Sequence, residues 1–409
     1  MTDKSNTFVG LDLDGARMRC LVAAQDGGRL RYLGSGTTPP ARWDEIEARE
    51  PHLTAKTVLE TVCNAEKDSG LTIYSAVVGV GGAHVRSNLV KTAVPVPQSR
   101  RVVEVTDVAN ALKKASGALL GPESTALQLV PLEFVAGSGQ PVRNPIGQSA
   151  RQLEARVRVI STRTEEHEIA KRLVNEASLC VEETVLGGFA AAYETLMDVD
   201  HGNGAVHLGI GKTASSLVAF SDGRLRLACG FPVGGDDVVH DVARAFATTP
   251  GVAASLISDY GRAVHASVRT RSYVIVPTTG PLYEREFGRP WPCSMLDKLI
   301  ALRIEECMVM ARDELRRAGL TNGEVRSLII SGDLAALPGI TDMAQSITGL
   351  RSRIGAPSHL AGLPDELRNP EWACAAGLVR YAHRLAERPR DGSETKPAFE
   401  QTRHQEKAA

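Results

Sequence analysis

Apolar runs of strand length and apolar stripes of helical period alternate along this chain. Thr7-Phe-Val-Gly-Leu-Asp-Leu13 ends in an acid followed by small residues, which predicts a buried strand. Met18–Ala24 and Leu30–Gly34 predict two more, joined by a turn at Asp26-Gly27-Gly28. A helix is predicted over 54–69 and a strand over Ile73–Val80. Between 82 and 160, Leu127–Val135 and Leu153–Ile160 read as strands around one helix near 104–116, with Thr106 and Asp107 as cap candidates. Ile169, Leu173, Val174 and Ala177 place a helical stripe within 163–178.

The opening pattern then returns. Gly204–Ile210 reads as a strand, Ser216–Ser221 as a second, and a third starts at Arg224 after the turn Asp222-Gly223. Asp26-Gly-Gly-Arg-Leu-Arg-Tyr32 is echoed by Asp222-Gly-Arg-Leu-Arg-Leu227; Leu225 follows Leu30 by 195 positions, and Ile210 follows Leu13 by 197. That period is too long for a solenoid and predicts two related domain cores facing each other. Helices are predicted near 235–246, 251–262 and 293–318, a strand over Ser327–Ser331, and helices from Pro338 and over 371–386. The polar stretch 387–409 reads as a disordered tail.

Composition narrows the function. A chain of 409 residues suggests two or three domains at roughly 150 residues each. The 47 basic residues are balanced by 48 acidic ones, so the basic excess of a nucleic-acid binder is missing. With 43% apolar and 23% charged residues, general disorder is excluded. The seven cysteines, at 20, 63, 180, 229, 293, 307 and 374, include no CxxC pair, which argues against zinc and disulfide frameworks. They read instead as buried small hydrophobes in a reducing compartment. The N-terminus MTDKSNTF lacks a signal-peptide core, and no apolar run reaches the length of a membrane span.

Candidate chemistry centres on glycine turns. A strand ending in acid and small residues, as at Asp12, can aim backbone N–H groups at phosphate and hold a metal-bound water; it is also what an ordinary β-turn looks like. Gly209-Ile-Gly-Lys-Thr213 resembles a P-loop only in part, because Val206 stands where that motif requires glycine. Gly234-Gly235-Asp236 opens a helix and reads either as a phosphate seat or as a strand-to-helix turn capped by Asp236 or Asp237.

Longer motifs carry a resemblance. Leu129-Val-Pro-Leu-Glu-Phe134, Asn144-Pro-Ile-Gly147 followed by Leu153-Glu-Ala-Arg156, and Val78-Gly-Val-Gly-Gly-Ala-His-Val-Arg-Ser87 resemble the bacterial cell division protein family FtsA of the actin-like ATPase superfamily. Pro232-Val-Gly-Gly-Asp236 and Leu337-Pro-Gly339 add to the match, which runs over about residues 7–385. It implies an α/β, actin-like (ribonuclease H-like) two-lobed fold with a small inserted α+β subdomain in the first lobe. The expected division is 1–82 and 163–202 for the first lobe, 83–162 for the insertion and 203–386 for the second lobe. A smaller subdomain is expected at about 235–325 and the tail at 387–409.

The resemblance implies ATP with Mg2+ as cofactor, with Asp12, Arg17, Gly211, Lys212, Thr213, Gly234, Gly235, Asp236 and Gly332 as the nucleotide-site positions. Several of the family's contacts are replaced. Asp14 stands in place of a glycine, Gly209 and Ser216 in place of two Asp, Gly187-Gly188 in place of Glu-Pro, and Ala254 and Ile257 in place of Glu and Lys. A carboxylate about 4 Å from a phosphate charge costs about 4 kcal/mol at an effective dielectric near 20. Lys212 either contacts phosphate in their stead or is a solvated surface lysine. A degenerate member with weak or absent ATP binding is therefore expected. An actin-superfamily kinase or ATPase ranks below this, since it needs the carboxylates absent at 187, 209 and 216. No metal ligands and no catalytic residues are assigned.

The implied role is a scaffold at the cytoplasmic face of the bacterial inner membrane, joining the FtsZ ring to it and self-associating through the inserted subdomain. Arg303, in Ala301-Leu-Arg-Ile-Glu-Glu306, and Lys298 match the family surface that receives the FtsZ C-terminal peptide; a solvated helix face is the other reading. The tail Lys396–Ala409 has one large apolar residue, Phe399, so no amphipathic membrane helix can be drawn on it. A PilM-like scaffold for another membrane apparatus is the alternative.

Overall fold

A computed structural model describes residues 6–387 apart from 16, 39–50, 119, 120, 122, 138 and 266–271. The tail expected beyond 387, with Phe399, lies outside the described residues. Val85–His167 forms one compact unit, and the chain on either side of it, through Ala386, forms the other.

In the larger unit the strands are β1 (Thr7–Asp12), β2 (Arg19–Asp26) and β3 (Arg29–Thr37), followed by α1 (Pro51–Ser69) and β4 (Ser75–Val80). The smaller unit supplies β5 (Arg86–Pro95), α2 (Val105–Gly117), β6 (Ser124–Ala136), β7 (Pro141–Val142) and β8 (Gln152–Arg163). Its sheet runs β5-β8-β6-β7, all antiparallel, and α2 closes one face. Val90, Val94, Leu112, Phe134, Leu153 and Val157 fill the core between them. Asp107 accepts from the Glu104 N–H at 2.9 Å and pairs with Arg100, so one of the two expected cap residues does bind the helix start.

After α3 (Thr164–Glu176), the chain forms β9 (Cys180–Leu186), α4 (Gly187–Thr195) and the short α5 (Asp198–Asn203). It then repeats its opening with β10 (Ala205–Ile210), β11 (Ser215–Ser221) and β12 (Arg224–Phe231). The elements that follow are α6 (Gly235–Phe246), α7 (Pro250–Tyr260), β13 (Tyr273–Val276), α8 (Leu282–Phe287), β14 (Arg289–Pro292) and α9 (Cys293–Arg317). The last are β15 (Ser327–Gly332), α10 (Ile340–Thr348), β16 (Arg351–Ile354) and α11 (Ala373–Ala386).

The sequence echo is a structural one. The first sheet has order β3-β2-β1-β4-β9 and the second β12-β11-β10-β15-β16. In both, three antiparallel strands joined by tight turns continue into two parallel neighbours. Both even shift register between their second and third strands, at Val22/Ala23 and at Ala219/Phe220. Parallel strands need covered faces. In the second lobe Val206, Leu208 and Ile210 meet Val238, Val242 and Phe246 of α6 and Ile300 and Ile304 of α9.

α11 follows the second lobe in sequence yet packs on β1 and α4 of the first. Gly377 permits this crossing, since a Cβ there would lie 1.9 Å from the Ala190 carbonyl oxygen. The returning segment also bonds to the edge strand β3, with Tyr32 N–H donating to the Ala361 carbonyl and Ala361 N–H to that of Leu30, both at 2.9 Å. All seven thiols are free; Cys20, Cys229, Cys293 and Cys307 are buried, Cys63 and Cys374 half-buried, and Cys180 is exposed. Burial was expected for all seven, and Cys180 departs from it because it begins β9 at the sheet margin.

Candidate functional site

The two glycine turns predicted to face each other do so, and they touch. The first turn follows β1, where the Asp14 N–H donates to Asp12 Oδ1 at 3.1 Å. The second follows β10, closed by Gly211 N–H to the Ala214 carbonyl at 3.1 Å. Between them the Lys212 N–H donates to the Asp14 carbonyl at 2.7 Å. The two turns are thus bonded directly to one another.

Side chains fill what remains. A Cβ at Gly81 or Gly211 would come within 2.1 or 2.8 Å of Asp14 Oδ2. Behind Asp14, a Cβ at Gly188 or Gly209 would come within 2.1 or 2.8 Å of Ser216 Oγ. Glycine at 188 and 209 is thus required by the closeness of α4, β10 and β11. Gly332 lies at φ +100° beside the Ile210 carbonyl, a position only glycine takes without strain.

Arg19, at the start of β2, is the largest of the fully buried side chains, 2% exposed. Its Nη2 pairs with both Asp333, just after β15, and Glu371, ahead of α11. Its Nη1 donates to the Arg17 carbonyl at 3.1 Å, and the guanidinium lies 5.9 Å from the Trp372 ring centre. Burial alone would lower the Arg19 pKa, but the carboxylates of Asp333, Glu371 and Asp12 outweigh it and raise it. Burial pushes Asp14 well above the usual carboxylate range, and Asp12 and Asp333 add to the push. Asp12 is also raised by burial, against the pull of Arg19 and the Asp14 N–H.

The cavity left among Asp12, Asp14, Arg19, Gly188, Ser216 and Asp333 measures about 40 Å³. That is room for a few ordered waters. Of the predicted nucleotide residues, Asp12, Gly211 and Gly332 line it. Arg17 is exposed outside it, and Thr213 is exposed at the turn. Gly234, Gly235 and Asp236 do lie against the second turn, but their donors are spent. The Gly235 N–H bonds the Gly211 carbonyl and the Asp236 N–H that of Lys212, both at 2.9 Å, and the Gly234 N–H bonds Asp237. Among the described residues no group of three or more His, Cys, Asp or Glu is placed to hold a metal ion. Arg19, Glu371 and Cys374 escaped sequence reasoning. A signal existed for the first, because an arginine opening a run as apolar as Cys20–Ala24 must have buried partners.

Beneath the cleft, His207 of β10 is fully buried, with Nε2 2.9 Å from Ser331 Oγ and Nδ1 without a partner. Burial, with the Arg353 charge adding, pushes its pKa down to about 3.

A second candidate surface lies on β13, α8 and α9 of the second lobe. Tyr273 and Ile275 of β13, with Leu282, Tyr283 and Phe287 of α8, are at least 60% exposed, and the Tyr283 and Phe287 rings meet at a tilt, 4.9 Å between centres. Met295, Lys298 and Leu302 are exposed at i, i+3 and i+7 of α9, one face of that helix. Arg303 is not free alongside Lys298. It donates to Asp241 of α6 at 2.5 and 3.3 Å and to Glu306 at 2.8 Å, and so ties α9 to α6.

Comparison with known proteins sets these surfaces in context. The family model described as "Cell division protein FtsA" matches residues 206–377, and that described as "SHS2 domain inserted in FTSA" matches 82–161. The cell division protein FtsA of Pseudomonas aeruginosa is 26% identical over 375 residues, covering 91% of this chain and 88% of the relative. That of Escherichia coli K12 is 26% identical over 381 residues, covering 91% and 89%. Among solved structures, a PilM–PilN type IV pilus biogenesis complex is similar with a TM-score of 0.63 at 17% identity, over 92% of this chain and 98% of the other, a likeness of fold. Models of both the inserted domain and the second lobe, and relatives matched along nearly the whole chain, converge: this chain has the actin-like fold and belongs to the FtsA family of cell division proteins.

Proposed function

We propose that this chain is a cell division scaffold that links the FtsZ ring to the cytoplasmic face of the membrane and supports divisome assembly, with ATP binding weak or lost. The observation that carries the division role is the joint match to both FtsA-type models, including the inserted domain. What supports the loss of ATP is the 40 Å³ cleft occupied by Arg19 and Asp14. Self-association through the inserted unit belongs to the same reading. No described helix is long and apolar enough to cross a membrane.

In this reading the FtsZ tail peptide binds the aromatic patch of α8 and β13, a reading supported by the exposure of that patch, and Lys298 meets its acidic residues. A fluorescent FtsZ tail peptide titrated against the full chain should bind with or without Mg–ATP alike. Tyr283→Ala should weaken it about tenfold, about 1.4 kcal/mol, and Lys298→Glu should weaken it in a salt-dependent way. Arg303→Glu should act through the α6–α9 contact and lower stability as well. If pilus-protein peptides bound and the FtsZ peptide did not, the PilM-like reading would replace this one. Separately, a fluorescent ATP analogue with magnesium should give no saturation in the micromolar range; a low-micromolar affinity would sink the claim of lost nucleotide binding.

A further inference from the structure

We infer that Arg19 is a built-in latch that holds the two lobes closed in the place where a relative of this fold would use a bound nucleotide. The inference shares with the proposed function only the loss of nucleotide and does not depend on FtsZ binding.

A ligand lying between two lobes closes them because it contacts both. Here the contacts that span the cleft belong to the chain itself. Arg19 stands on β2 of the first lobe, and Asp333 on the turn after β15 of the second. Glu371 sits on the segment returning from the second lobe to the first, so one guanidinium fastens both the cleft and the return crossing. The guanidinium is 2% exposed, and its fork geometry suits two carboxylates at once. The Lys212 N–H to Asp14 carbonyl bond and the packing of Gly188 on Ser216 seal the same seam. The ionisable groups lining the cavity are Asp12, Asp14, Asp333, Glu371 and Cys374 against the single cation Arg19. A nucleoside triphosphate entering here would have to take Arg19 from both its carboxylates and set its phosphates against the remaining acids. Breaking such a buried pair leaves a charge without compensation, so the closed form persists without ligand.

The test uses the full chain with Cys180→Ser and spin labels at Lys56 of α1 and Ser258 of α7, both exposed and one on each lobe. Double electron–electron resonance should give one narrow distance, the same with and without millimolar Mg–ATP. Arg19→Ala should lengthen and broaden it. Hydrogen exchange at the Lys212 amide should then be faster by about tenfold or more, while amides of β8 in the inserted unit keep their wild-type rates. Should Arg19→Ala not fold, Asp333→Asn combined with Glu371→Gln opens the latch without a buried cavity and should give the same shift. A folded variant of either kind that keeps the wild-type distance overturns the latch, and so does a wild-type distance that moves on adding Mg–ATP. Failure of the FtsZ titration with these results intact would remove the division role alone.

Discussion

Gly188→Glu, which sets a carboxylate next to the position 187 where the family resemblance implies one, should destabilise this chain by at least about 4 kcal/mol. Two costs add. A Cβ at 188 would lie 2.1 Å from Ser216 Oγ and 2.7 Å from its Cβ. Ser216 is buried on β11, an inner strand, so its Cβ cannot swing aside; overpacking of this kind costs about 1–3 kcal/mol. The carboxylate would then enter a cavity already holding Asp12, Asp14 and Asp333, and the one nearby cation is engaged with Asp333 and Glu371. Urea denaturation measures the sum, and two further variants divide it. Gly188→Ala carries the clash alone and should cost about 1–3 kcal/mol. Adding Ser216→Gly should recover most of that, because the next atom beyond the serine, Val218 Cγ2, is at an ordinary 3.8 Å. A Gly188→Ala variant as stable as wild type would mean that α4 and β11 are not in contact.

The second large effect is on acid stability. His207 is neutral in the fold, its pKa pushed from the ordinary 6.5 to about 3. The unfolded chain takes up a proton below pH 6.5 that the folded chain refuses. The contribution of this group is therefore complete above pH 6.5, is lost as pH falls from 6.5 towards 3, and is flat below that. Each pH unit costs about 1.4 kcal/mol, about 5 kcal/mol over the window. Asp12 and Asp14 act with the opposite sign, since their raised pKa values let the fold keep protons that the unfolded chain releases above pH 3.8. The whole-protein profile mixes these, so the informative quantity is the difference from His207→Gln, whose neutral amide reaches Ser331. Urea midpoints between pH 4.5 and 7.5 should fall more steeply for wild type, by about 1.4 kcal/mol per unit. Parallel profiles would show that His207 is protonated in the fold or open to water.

Much of the architecture was legible because local pattern and fold agree. The apolar strands, the two Asp-Gly turns and the echo near 195 positions fixed both sheets and their kinship. Elements whose cover comes from far along the chain were not. β5, with the pattern Arg-Ser-Asn-Leu-Val-Lys, shows no clean alternation because its pairing with β8 makes it a strand. β9 and α4 pass without interruption from Leu186 into Gly187-Gly188, and the need for glycine at 188 comes from Ser216, distant in sequence. The site divided the same way. The turns at Asp12 and Gly211 were found from their residues. That they bond to each other, and that Arg19 reaches across to residues 333 and 371, depends on lobe closure, which no local pattern encodes. Gly234–Asp236 had the residues of an anion seat, yet which acceptor took their N–H groups is a tertiary fact.

The packing of α11 on β1 bears on how the protein is made. Gly10 of the first strand faces the backbone of Ala375, so β1 is covered by a helix synthesised about 365 residues later. At about 5–20 residues per second, β1 waits roughly 20 to 70 s for that helix. Through that interval the first sheet shows an apolar face and an unpaired β3 edge, the two surfaces on which nascent chains aggregate. The second lobe, whose sheet and helices are contiguous from β10 to β16, completes its core first, so assembly in the cell runs against the order of synthesis.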